Sequence, residues 1–207
     1  MSYVDGAIGS MVDALQTQHL ADSTALIVSA KHGQSPIDPS KLHTIGDQVT
    51  NVLTAANVGV AQNTSDDVAL VWLKNQRQTS QAIAALNADK HAANRALVDF
   101  LYTGDLLVDR FGDPRTNSRT PDLIVQPQAG TIYTTSGAKV AEHGGGTVDD
   151  THVALLVVAP DQSAAHIGER VETRQIAPTI LALLGLNPHA LDSVRIEHTR
   201  TLPSVGD

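Results

Sequence analysis

The 207-residue chain has no cysteine, two methionines, one tryptophan and only 3% aromatic residues. Without a thiol there is no thiol nucleophile, no thiolate zinc site and no disulfide framework. So few aromatic rings leave little for a platform on which nucleotide bases stack. Basic runs are also missing. Fourteen Lys and Arg face 22 Asp and Glu, a net charge of −8, which argues against binding a nucleic-acid polymer, since a phosphate backbone calls for a basic stripe. No apolar run approaches the roughly 18–20 residues that cross a bilayer, so no membrane span is expected. Met1-Ser2-Tyr3-Val4-Asp5 is not a basic stretch leading into a long apolar core, and no signal peptide is expected in this sequence.

What is present is the composition of a globular protein, 42% hydrophobic and 17% charged. The length suits one domain, or a piece of a larger one. Val4, Ile8, Met11, Val12 and Leu15 recur at helical spacing and predict a first amphipathic helix. The run Thr24–Ser29 reads as a strand buried on both faces, and Val153–Val158 as another. Between them, strands are expected at Asp67–Leu73, Leu123–Val125 and Thr131–Tyr133, and helices at Ile45–Ala55, Thr79–Leu86 and Ala92–Leu101. A polar loop follows from Asp109 to Pro121, and a last helix from Thr173 to Leu184 stops at Gly185. Helices alternating with apolar strands predict a layered α/β sandwich around a mostly parallel sheet, as one domain over residues 1–207.

Two of the nine histidines stand out by their setting. His32 follows the first buried strand in Lys31-His32-Gly33, at the sheet edge where open α/β folds bind ligands. His143 lies in Glu142-His143-Gly144-Gly145-Gly146, just ahead of the last strand. Glycine beside a functional side chain lets the backbone approach a ligand closely. The other seven, His19, His43, His91, His152, His166, His189 and His198, read as surface or turn residues. Trp72 and Tyr133 read as core, and Arg115 and Arg119 as loop arginines open to solvent or to an anion.

Four segments, in order, carry a resemblance. "VDGAIGSMVDAL…LADSTALIVSAKHGQSPID" resembles the stretch of the alkaline phosphatase superfamily in which a helix and a strand lead to an Asp-His-Gly metal motif. "SRTPDLIV" is similar to a strand entry of the same proteins, "GAKVAEHGGGTVDDTHVALLVVAP" to their late histidine-glycine motif, and "VETRQIAPTILALLGLNP" to their closing helix. The branch it resembles is that of the type I phosphodiesterase/nucleotide pyrophosphatase-like hydrolases. The resemblance implies an alkaline-phosphatase-like fold whose N-terminal strands lie outside this sequence, and a small phosphate-ester substrate. It also implies two divalent metal ions, usually zinc, which orient the phosphate and activate a Thr or Ser nucleophile. On it, His32 matches a ligand of the metal nearest the nucleophile and His143 a ligand of the other, as neutral imidazole suits zinc.

Two departures shape what can be carried over. Lys31 stands where the family has an aspartate ligand, and an ammonium neither ligates a cation nor attracts one. Three roles stay open for it: an altered or weakened metal site, a direct contact to substrate phosphate, or a solvated side chain. The family's nucleophile and first acidic ligands fall upstream of Met1, so no catalytic residue is assigned here. Ser29, Ser35, Thr147 and Thr151 match structural positions. Asp149 and Asp150 could orient His143 from behind, or simply cap a turn before the strand. The expected function is therefore the C-terminal part of a metal-dependent phosphodiesterase, with half of a two-metal site and little activity alone. The alternative is a non-catalytic binding or oligomerisation module of the same fold. Self-association into a homo-oligomer is a further expectation, because absent strands would leave apolar faces open. Location follows from what precedes Met1: periplasmic or secreted with an upstream signal peptide, otherwise cytoplasmic.

Overall fold

The apolar runs 69–73 and 123–125 become inner strands of this fold, whereas the runs 24–29 and 153–158 form a two-stranded ribbon. The computed structural model describes residues 2–36, 38–90, 97–160 and 162–205. In chain order it runs α1 (Ser2–Thr17), β1 (Leu26–Ser29), β2 (His43–Thr44), α2 (Gln48–Ala55), β3 (Val60–Ser65), β4 (Ala69–Leu73) and α3 (Thr79–Lys90). Then come β5 (Val98–Tyr102), α4 (Gly104–Phe111), β6 (Leu123–Pro127), β7 (Thr131–Ile132), α5 (Val148–Thr151), β8 (Leu155–Val158), α6 (Ile176–Leu183) and α7 (Asp192–Arg195). The chain divides into two compact units, Met1–Lys31 with Ala154–Asp207, and His32–Val153.

The His32–Val153 unit is built on a four-stranded sheet in the order β3-β4-β6-β5. On β4, Ala69, Val71 and Leu73 are buried while Leu70 and Trp72 between them are half-buried, the period-2 pattern of a strand. Their registered partners on β6, Val125 opposite Ala69 and Leu123 opposite Val71, are also buried. Val49 and Leu53 of α2 and Ala82 and Leu86 of α3 pack on these side chains. Leu107 of α4 joins Val68, Tyr102 and Ile124 in a second cluster. Each fully buried leucine contributes roughly 1.5–3 kcal/mol relative to exposure, so β4 and β6 carry the centre of this unit.

Two corrections concern the strands. The sheet is not mostly parallel among the described residues. β1–β8, β3–β4, β4–β6 and β5–β6 all pair antiparallel, and only the two-residue β2–β7 pair is parallel. Apolar content reports burial, whereas direction follows from the connections. The three-residue link from Ser65 to Ala69 is far too short for a parallel crossover. The helix expected at Ala92–Leu101 is not seen from Leu97 onward. Residues 92–96 lie outside the described residues, Leu97 has φ +48°, and Val98–Tyr102 is a strand. Its Val, Phe and Tyr suit a pleated surface better than a helix.

The Met1–Lys31 and Ala154–Asp207 unit contains α1, the β1–β8 ribbon and α6. α1 forms where the apolar stripe predicts it, with Ile8, Val12 and Leu15 half-buried and no residue fully buried. β1 and β8 are not buried on both faces: Leu156 is 57% and Val158 52% exposed. A two-stranded ribbon gives each strand one hydrogen-bonded neighbour, less cover than an apolar run in a wide sheet receives. α6 begins behind a capping box in which Gln175 Oε1 accepts the Glu172 N–H at 2.7 Å. It ends at Gly185, whose φ of +66° suits the left-handed stop that glycine takes most easily.

Candidate functional site

The two singled-out histidines meet. The His32 and His143 rings stack with centroids 3.8 Å apart and planes 20° from parallel. His32 is half-buried and His143 exposed. Nδ1 of His32 lies 2.7 Å from the Gly33 carbonyl oxygen. A carbonyl can only accept, so the proton of this bond sits on Nδ1, and in the neutral ring Nε2 keeps its lone pair.

Backbone ties hold the two histidine loops together. The Ser35 N–H donates to the Glu142 carbonyl at 2.9 Å and the Glu142 N–H to the Ser35 carbonyl at 3.1 Å. The Gly33 N–H donates to the Asp150 carbonyl at 2.7 Å. A Cβ at Gly33 would fall 1.7 Å from the Asp149 carbonyl oxygen, so only glycine fits. The glycine loop is packed just as closely. A Cβ at Gly146 would lie 1.9 Å from the Tyr102 hydroxyl, and one at Gly145 2.4 Å from carboxyl oxygens of both Asp67 and Asp150. The close approach these glycines permit is thus to the protein's own polar groups.

Asp67, expected as the first residue of a strand, sits in the loop between β3 and β4. Its Oδ2 accepts the Gly145 N–H at 3.0 Å, while the Gly146 N–H donates to Gln126 Oε1 at 2.8 Å. Asp67 and Asp150 are 2% and 3% exposed. Burial, a hydrogen bond with Asp150 and the charge of Asp150 push the Asp67 carboxyl up to about 7. The Asp150 Oδ2 accepts the Thr147 hydroxyl at 2.6 Å, and its Oδ1 is buried without a hydrogen-bond partner. Thr147 also caps α5, accepting the Asp150 N–H at 3.4 Å. Nearby, burial and then Glu142 raise the Asp66 carboxyl. Lys139 pairs with Glu142 at 2.8 Å, and that contact holds its ammonium above the usual range.

The remaining candidates fall as follows. The Asp150 carboxyl turns to Thr147 and Asp67, and among the described residues no hydrogen bond joins Asp149 or Asp150 side chains to His143. Lys31 and Asp149 are exposed. Arg115 is engaged by Asp113 through a bidentate contact, Nε donating to Oδ1 and Nη2 to Oδ2, and Tyr133 is core. Among the other histidines His91 lies outside the described residues and the rest are exposed.

A match to the family described as type I phosphodiesterase / nucleotide pyrophosphatase extends over residues 1–183. This chain belongs to that family. Its fold is also that of ectonucleotide pyrophosphatase / phosphodiesterase 5. The human protein aligns at TM-score 0.63 and 17% identity, over 100% of this chain and 49% of its own. The murine protein, in an inactive form in complex with AMP, aligns at 0.64 and 18%, over 90% and 47%. Another structure of the murine protein gives 0.63 and 18%, over 90% and 48%. The chain spans about half the length of these structures. Among curated proteins none matches in sequence.

The family is known for divalent-metal dependence, which the donor set can be tested against. Catalytic zinc takes three protein ligands and structural zinc four. His32 and His143 offer two imidazoles, and among the described residues no group of three His, Asp or Glu is placed to hold a metal. The chemistry of the two donors suits zinc, but their number does not complete a site.

Proposed function

We propose that this chain is the part of a phosphodiester hydrolase that carries His32 and His143, one imidazole for each of two divalent metals, and that it lacks the nucleophile. The single observation behind this reading is the stacking of these two histidines, distant in sequence, at 3.8 Å. A metal bound there with further ligands would supply Lewis acidity at a phosphoryl oxygen. The chain's own residues hold the rings: the Gly33 carbonyl fixes the His32 tautomer, and the ties to Glu142 and Asp150 fix the loops. The substrate class is a small phosphate ester, and AMP, found with the murine relative, is a suitable ligand to try. Self-association is part of this proposal, since Leu156 and Val158 remain more than half exposed.

Lys31 favours a second reading, a binding module without chemistry, because a cation occupies the position of an expected aspartate ligand. Hydrolysis of bis(4-nitrophenyl) phosphate with and without added zinc, alongside calorimetric zinc titration, separates the two. The hydrolase-part reading expects near-background turnover and weak zinc binding that His143→Ala abolishes. Robust turnover lost in His143→Ala would overturn the absence of a nucleophile. Zinc binding untouched by His143→Ala would leave the binding-module reading.

A further inference from the structure

Asp67 and Asp150 are two carboxyls taken out of water beside one another, an arrangement that is unfavourable unless it shares a proton or is well hydrogen-bonded. Three chain segments converge on this pair. The β3–β4 loop brings Asp67, whose Oδ2 receives the Gly145 N–H from 78 residues away. Helix α5 brings Asp150, whose side chain is fixed by Thr147 and whose backbone carbonyl receives the Gly33 N–H. Gly145 is two residues beyond His143, and Gly33 is one beyond His32. The Ser35–Glu142 bridge fixes the residue ahead of His143, and Asp67 fixes the chain behind it. With Gly145 carrying no side chain, both Oδ2 atoms can close on it.

We propose that Asp67 is a positioning residue: through the Gly145 N–H and its contact with Asp150 it holds the His143 loop so that the two imidazoles meet. This rests on the reading that His32 and His143 act as one site. It differs from a general contribution to stability, because the imidazole pair should separate while the β4–β6 core persists.

The test is NMR of the full chain without metal or phosphate, following cross-peaks between the His32 and His143 ring protons, assigned with single His→Gln variants. Asp67→Ala is expected to lose these cross-peaks. Asp67→Asn is expected to keep them, since its amide oxygen can accept from Gly145 and its NH₂ can donate to Asp150. Gly145→Ala leaves both aspartates in place but drives a methyl into their oxygens, and is expected to lose the cross-peaks. It keeps the test decisive where Asp67→Ala does not fold. Val71→Ala, a cavity in the same sheet, is expected to keep them. Cross-peaks that survive Asp67→Ala or Gly145→Ala, or that vanish equally in Val71→Ala, overturn the proposal. Because the readout needs neither metal nor substrate, it can fail while the hydrolase reading stands, and stand while that reading fails.

Discussion

Replacing Asp67 by asparagine separates charge from hydrogen bonding at the buried carboxyl pair. The folded chain pushes this carboxyl up to about 7 from an ordinary value of 3.8, through burial first, then the hydrogen bond and charge of Asp150. A raised carboxyl favours the protonated form in the fold. Its stability contribution is therefore full below about pH 4 and is lost as pH climbs towards 7. At 1.36 kcal/mol per pH unit, a single site with these two values loses at most about 2–3 kcal/mol between pH 5 and pH 8. Coupling to the neighbouring Asp150 carboxyl brings the expected loss to about 1–2 kcal/mol. Asparagine carries no charge at either pH and preserves both hydrogen-bonding directions. Asp67→Asn should thus match the parent below about pH 4, and its advantage over the parent should grow by about 1–2 kcal/mol between pH 5 and pH 8. Trp72 is the only tryptophan and lies on β4, with its indole N–H donating to the Ser118 carbonyl at 3.1 Å. Urea unfolding followed by its fluorescence at pH 5, 6.5 and 8 therefore reports on the unit that contains Asp67. A difference between parent and variant that stays constant from pH 5 to pH 8 would refute the reasoning.

Gly33→Ala must displace the Asp149 carbonyl and weaken the Gly33–Asp150 bond. It should lose about 2–4 kcal/mol in the same urea assay, from steric displacement plus a hydrogen bond. Leu123→Ala removes a fully buried side chain from the inner strand β6, and should lose about 2–5 kcal/mol. That change should leave the histidine cross-peaks of the folded fraction intact. Amide hydrogen exchange should be slowest in β4 and β6 and faster in the β1–β8 ribbon, whose outer residues are exposed. Equal protection in the two would contradict the placement of the core.

The legible parts of the fold are those whose pattern is local. α1 shows its stripe, β4 and β6 their apolar runs, and α6 its terminal glycine. The edge strands were harder to see. β3 is Val-Ala-Gln-Asn-Thr-Ser, too polar to stand out, and β5 follows a segment with helical character in its sequence. α4 mixes Leu106, Leu107, Val108 and Phe111 with charged residues, and only Leu107 of it is buried. Edge strands are paired and covered on fewer sides, so their sequences are less constrained towards apolar residues.

By itself the sequence determined the family, the two histidine motifs and the inner strands, because ordered motifs and apolar periodicity survive without knowledge of contacts. Tertiary structure alone decided strand direction, since burial is written in composition but pairing is not. It alone brought His32 and His143 within stacking distance. It also gave the glycines their reason: the atoms crowding Gly33, Gly145 and Gly146 belong to Asp149, Asp67, Asp150 and Tyr102. Asp67 could not be singled out beforehand, because a carboxyl's environment is set by Asp150 and Gly145, which only folding carries to it.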